Sequence, residues 1–182
     1  MHTRFLVGAA LLAAFAVTAC ERPSAPGEAP AAAFNHTTTA DISGYYMPAG
    51  QVDIGKWSLD HIFVGQASEF EAWEGGTRSD TFAPLMIELN DTTSPIVDTE
   101  QGEAYGTTAR VLPTRYEVTD TTVSFDGQSP ELGAVTFVGR LDPETLATSR
   151  RNLGSDGVVM TGTLTAGGQT VRDVRLSWWM GD

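Results

Sequence analysis

Cysteine is nearly missing from this chain. Cys20 is the only one among 182 residues, which excludes internal disulfides and any multi-cysteine metal or iron–sulfur centre. Basic charge is scarce as well. Eleven Lys and Arg residues stand against 23 Asp and Glu, a net charge of −12. Phosphate binding scales with clustered positive charge, so this balance argues against nucleic acid as a partner. Lysine occurs once, as Lys56. No G-x-S-x-G elbow, P-loop, dinucleotide-binding glycine pattern or D-x-D-x-D-G calcium loop is present, and these are the patterns that would signal nucleophilic catalysis, nucleotide or cation binding. No cofactor, no metal and no catalytic residue is therefore assigned. Long apolar runs are also missing. The longest spans Phe5 to Val17, thirteen residues, short of the roughly 20 that a helix needs to cross about 30 Å of hydrocarbon.

That run lies between a short, positively charged start (Met1-His2-Thr3-Arg4) and Val17-Thr18-Ala19-Cys20. Its length and flanks fit the apolar core of a signal peptide rather than a membrane span. The small residues followed by cysteine resemble the lipobox of bacterial lipoproteins, with Val where Leu is commoner. The resemblance covers the first twenty residues. It implies that residues 1–19 are removed and that Cys20 becomes the first mature residue. Its thiol and amine would then carry the acyl chains, palmitate among them. Several chains anchor stably where one would be marginal, at about 0.8 kcal/mol per buried methylene. The implied location is the bacterial cell envelope. Glu21, rather than Asp, after the cysteine favours the outer membrane, facing the periplasm. The partner implied is the membrane itself, through the N-terminal lipid.

Residues 20–40 carry Pro23, Pro26 and Pro30 among Ala, Ser, Thr and Gly, without a periodic apolar face. Such a stretch buries too little surface to repay ordering entropy, and it reads as a tether. Residues 41–182 read as one β-rich domain, a size that suits a single core. Trp57, Leu59, His61 and Phe63 alternate with polar residues; Leu85, Ile87 and Leu89 repeat the pattern, as do Tyr116, Val118, Val123 and Phe125, then Val135, Phe137, Gly139 and Leu141. Period-two alternation between Gly, Pro, Asn and Asp punctuation predicts an all-β fold, an antiparallel small barrel or sandwich. One short helix is predicted near 142–151. There Asp142 can cap, Pro143 takes the first helical position, and Arg150 and Arg151 suit the C-terminal dipole. Most runs are shorter than the nine to eleven residues, roughly, of a transmembrane β-strand.

The last hairpin allows two registers. A two-residue Gly167-Gly168 loop would set Met160 opposite Arg175 and put the apolar faces of the two strands on opposite sides. A three-residue loop, Ala166-Gly167-Gly168, sets Met160 opposite Val174 and Val158 opposite Leu176. Only the second keeps both apolar faces on one side of the sheet.

Candidate chemistry is sparse. His61 shares a strand face with Trp57, Leu59 and Phe63. In an unbroken strand Ser58 and Asp60 point to the other face, so the three cannot form a triad. Glu69, Glu71, Glu74 and Asp80 cluster, with Glu69 and Glu71 on one face of an assumed strand; they read as a solvated acidic surface, as do Asp98, Glu100 and Glu103. Adjacent Trp178 and Trp179 point to opposite faces, so one of them lies outside the core. Trp57, His61, Trp178 and Trp179 are the candidate ligand-contacting residues. The stretch Trp57 to His61 and the hairpin Gly157 to Ser177 resemble the opening and closing strands of the periplasmic polyisoprenoid-binding, lipocalin-like family, with Ile62 where that family has Ser. This resemblance implies a barrel able to hold an apolar ligand. Three functions follow: a non-catalytic binding or scaffolding domain for an envelope protein or other ligand, a carrier of an apolar small molecule, and an acidic-residue hydrolase. The sequence leaves oligomeric state undefined.

Overall fold

The structure, a computed structural model, describes residues 33–100, 102–153 and 156–181. The apolar run, Cys20 and tether residues 21–32 lie outside the described residues. The elements are β1 (Phe34–Thr37), β2 (Gly44–Pro48), β3 (Asp53–Ile54), β4 (Trp57–Val64), α1 (Ala67–Glu74), β5 (Leu85–Asp91), β6 (Ile96–Thr99), β7 (Gly102–Tyr105), β8 (Thr108–Val111), β9 (Pro113–Thr119), β10 (Thr122–Ser129), β11 (Gly133–Leu141), α2 (Pro143–Arg151), β12 (Val158–Ala166) and β13 (Gln169–Trp179).

The fold is all-β with two short helices. One eleven-stranded sheet runs in the order β1-β9-β10-β11-β12-β13-β2-β4-β5-β8, with β3 added on β4, and β6 and β7 form a separate hairpin. All pairings are antiparallel except β1 with β9. Strands β8 and β9 are separated only by Leu112, yet they lie near opposite ends of that order. The sheet therefore curls until β8 comes beside β10 and β5 beside β9. Gly127 permits the seam: a Cβ there would lie 2.8 Å from the Leu112 carbonyl oxygen. The concave side is filled by one cluster that includes Tyr46, Ile62, Tyr116, Phe125, Phe137, Leu164 and Leu176. Alternate residues face inward along strands such as β10 and β11, as half-buried β-structure requires.

Helix α2 forms as its sequence predicts. The Asp142 carboxylate accepts from the Glu144 and Thr145 backbone N–H groups, each at 3.0 Å. Helix α1 corrects the strand reading of residues 69–72. Glu69 reaches back to the Gln66 N–H at 2.7 Å, satisfying a free donor at the helix start. Phe70 and Trp73, three apart, are buried on one helical face. Glu69 and Glu71 consequently share no strand face.

Strand β1 lies inside the stretch read as tether. Phe34 packs on Tyr116 and Trp73, with ring centroids 5.1 and 6.1 Å apart, and His36 stacks on Phe70 at 4.3 Å. Phe34 and His36 alternate on one face of β1, and a histidine as the second member is not counted by apolar periodicity.

The terminal hairpin corrects the three-residue loop. Ala166 pairs with Gln169 and Leu164 with Val171, so the loop is Gly167-Gly168, with φ of 56° and 73°. Two left-handed residues match the twist of the flanking strands. The conflict between apolar faces is resolved further along. The register slips by one between Leu164 and Gly162, and Gly162 faces Val174 while Met160 faces Leu176. The extra residue sits by Asp173, whose φ is 56°. A bulge returns both apolar sets to the core. Asp tolerates this conformation better than most residues, and glycine tolerates it best. Asp173→Gly is expected to leave stability unchanged or raise it by up to about 1 kcal/mol, and Asp173→Val to lower it by about 1–2 kcal/mol. Urea denaturation midpoints of the two variants check this; the reverse order would mean that the bulge is not where the strand turns over.

Candidate functional site

The four sequence candidates divide between the two sides of the sheet. Trp57 and Trp178 are buried in the core, while Trp179 is 44% exposed. His61 is half-buried on the outer face. The side it takes follows from a bulge in β4. Leu59 pairs with Leu89, and His61 with Glu88, so Asp60 has no opposite residue. Beyond the bulge Ile62 and Val64 turn inward, and His61 and Phe63 outward. Asp60 and His61 consequently share the outer face. The assumption of an unbroken strand, which set them on opposite sides, is corrected here. The His61 Nδ1 and Asp60 carboxylate are 2.7 Å apart, and the Asn90 amide donates to the other Asp60 oxygen at 2.8 Å.

Cross-strand register builds the rest as rungs. Trp179, Tyr45, Phe63 and Met86 lie side by side across β13, β2, β4 and β5. Tyr45 is the hub of the aromatic set, with ring centroids 5.0 Å from His61, 5.3 Å from Phe63 and 5.6 Å from Trp179. The next rung is His61, Glu88 and Arg110, and the one after is Ser58, Asn90 and Thr108. Arg110 donates to Glu88 at 2.8 Å. The β6–β7 hairpin raises a wall over this floor. Together they line an open cleft of about 740 Å³ with Tyr45, Asp60, His61, Glu88, Asn90, Glu103, Tyr105, Thr108 and Trp179 among its residues. Asp60, Glu103 and the β6–β7 wall were not candidates in the sequence reading. The wall is a tertiary neighbour that no local pattern announces.

Electrostatics fix the floor. The hydrogen bond from His61 holds the Asp60 carboxyl below the ordinary carboxylate range, against an opposing push from partial burial, and Asn90 adds to the lowering. His61 and Asn90 thus spend donors on Asp60 and are locked in orientation by it. An Asp–His pair of this kind orients an imidazole; the hydrogen bonds of the described residues give His61 no nucleophile as a second partner.

Elsewhere charged groups act structurally. Lys56, the one lysine, pairs with buried Asp91 at 2.5 Å and lies 5.1 Å from the centre of the Trp57 ring. Its hydrogen bond, followed by that of Thr93, holds Asp91 down to about 2. Glu74 accepts from the Tyr116 hydroxyl at 3.1 Å. Trp178 donates its indole N–H to the Ser43 carbonyl at 2.9 Å, under the Arg150 guanidinium, which pairs with Asp41. Among the described residues no group of three or more His, Cys, Asp or Glu is placed to hold a metal ion, and no helix is long and apolar enough to cross a membrane. Compared with protein families, with characterised proteins and with solved structures, the chain matches none.

Proposed function

We propose that this chain is a lipid-anchored protein of the bacterial envelope, held at the outer membrane and facing the periplasm, whose β domain is a non-catalytic binding module with the outer-face cleft as its site. The observation that carries the binding reading is the pair Trp179–Tyr45 beside the locked Asp60–His61–Asn90 group, all lining the cleft. Accessible aromatic rings next to oriented polar groups are the composition of a ligand site, where rings give contact area and polar groups give orientation. The concave side, where an apolar cargo would sit, is occupied by the packed core cluster, which favours surface binding over the carrier reading. The anchor reading is supported by the lipobox-like Val17-Thr18-Ala19-Cys20.

Two measurements test the two halves. Wild-type chain expressed in a Gram-negative host is expected to sediment with membranes and to carry acyl mass on Cys20. Cys20→Ala is expected to lose that mass and the membrane association; unchanged fractionation would overturn the anchor. Titration with a panel of sugars, amines and fatty acids is expected to give at least one saturable ligand whose binding disappears in Trp179→Ala. Fatty-acid binding indifferent to Trp179→Ala would instead establish the interior carrier.

A further inference from the structure

The outer-face cleft has a consistent chemical bias. Its lining supplies three carboxylates, from Asp60, Glu88 and Glu103. Arg110 is committed to Glu88 at 2.8 Å. Two donors of the floor, His61 Nδ1 and the Asn90 amide, are both turned onto Asp60. Beside the hydroxyls of Tyr45, Tyr105 and Thr108 and the Trp179 indole N–H, the lining offers the Asn90 carbonyl oxygen, the exposed Glu103 carboxylate and three aromatic rings, and no Lys or Arg side chain. Aromatic faces are themselves regions of negative potential. An anion would meet the Asp60, Glu88 and Glu103 carboxylates, and the neighbouring cation, Arg110, is already paired with Glu88. A neutral polyol could donate to the acceptors but would leave the charge uncompensated. A cation with methyl or methylene faces satisfies both features at once, since it brings positive charge to the carboxylates and polarised C–H groups to the rings. The whole chain, at −12, would add long-range attraction for such a ligand.

We propose that this cleft binds an alkylammonium group, with its charge against Glu103 and Asp60 and its carbon faces on Trp179, Tyr45 and Tyr105. The proposal rests on the cleft being the binding site of the domain, and it adds the ligand class. The same group can arrive as a free small amine or as the lysine side chain of a partner protein.

The test is calorimetric titration of the full chain in detergent with four probes: choline, its uncharged isostere 3,3-dimethylbutan-1-ol, an acetylated and amidated lysine tripeptide, and the neutral disaccharide cellobiose. Choline or the lysine peptide is expected to bind about tenfold or more tighter than the isostere, the discrimination that a ring-and-carboxylate site gives a charge. Raising salt from about 0.05 to about 0.5 M is expected to weaken that binding severalfold, because the cleft is open and its charges are screened. Glu103→Gln and Trp179→Ala are each expected to reduce affinity about fivefold or more. Tighter binding of choline would identify a free amine as the source, and tighter binding of the peptide a protein side chain. Isostere binding equal to that of choline, or Glu103→Gln without effect, overturns the proposal. Trp179-dependent binding of cellobiose without binding of either amine also overturns it, while leaving the cleft as the binding site. Binding by none of the probes overturns the ammonium assignment and removes the support for the site itself.

Discussion

Phe137→Ala is expected to lower the unfolding free energy by about 3–5 kcal/mol, the range for removing a buried aromatic ring, and to fall in the upper half of it. Phe137 is fully buried in the middle of β11. Leu164 and Phe125 lie directly opposite it, and the same face carries Gly139, two residues on, and Gly162 on β12, glycines that are themselves a cross-strand pair. A Cβ on Gly139 would fall 2.5 Å from the Phe137 ring, and one on Gly162 2.6 Å from it. One ring thus fills the space of three side chains. Truncating it leaves a void floored on the glycine side by bare backbone, which cannot move in to fill it. The cost of such substitutions rises with the cavity that persists, so relaxation is least where it is needed most. Gly162→Ala is expected to be destabilising for a second reason: its Cβ would lie 2.6 Å from the Val138 carbonyl oxygen, and backbone cannot step aside. In the Phe137→Ala/Gly162→Ala double variant the ring clash is gone and the backbone clash remains. The double cost should therefore be smaller than the sum of the single costs, by about 1 kcal/mol or more for residues in contact. Denaturant unfolding of the four proteins closes the cycle. Strict additivity would show that the ring does not cover the glycine.

What could be read from the sequence depended on whether a signal was local. Helix α2 was legible because its cap, its proline and its basic end are consecutive residues acting within one turn. Helix α1 carries a comparable signal, Gln66 with Glu69 and then Phe70 with Trp73. It was hidden because Glu69, Phe70, Glu71 and Ala72 also alternate, and a short apolar run reads equally well at period two. The strand pattern itself was legible, since inward residues such as Leu85, Ile87 and Leu89 repeat without interruption. Bulges were not. One extra residue at Asp60 and one at Asp173 each turn the rest of a strand over, and each carries a polar residue that alternation treats as ordinary. The site inherits this illegibility. His61 was named from the sequence for the company of Trp57 and Leu59, yet it faces away from them toward Tyr45 and Glu88. The cleft depends on strands distant in the chain arriving in register, and no window of sequence contains that.

Adjacent tryptophans supply the sharpest contrast between fold and site. Trp178→Ala is expected to cost about 3–5 kcal/mol, and Trp179→Ala no more than about 0.5 kcal/mol, as for an exposed position. Trp178 is 7% exposed and Trp179 44%. The buried indole does more than fill space. Its N–H donates to the Ser43 carbonyl at 2.9 Å, and that same carbonyl takes Arg150 Nη1 at 2.8 Å. The guanidinium lies 4.9 Å over the ring. Gly44 makes the approach possible, since a Cβ there would sit 2.3 Å from the indole nitrogen. Removing the ring therefore opens the core and unseats Arg150, which ties the C-terminal end of α2 to the segment before β2. Trp178→Phe keeps much of the packing and loses the hydrogen bond, which alone is worth about 1 kcal/mol. For a domain of this size each 1 kcal/mol moves the melting temperature by roughly 2–4 °C. Thermal scans should then show Trp178→Ala lower by on the order of 10 °C and Trp178→Phe between it and wild type, with Trp179→Ala close to wild type. The ligand titration should rank the same variants in the opposite sense, with Trp179→Ala losing binding and Trp178→Phe retaining it. Equal melting losses from the two alanine variants would mean that Trp179 belongs to the core, and the cleft would then lack the ring on which its binding reading depends.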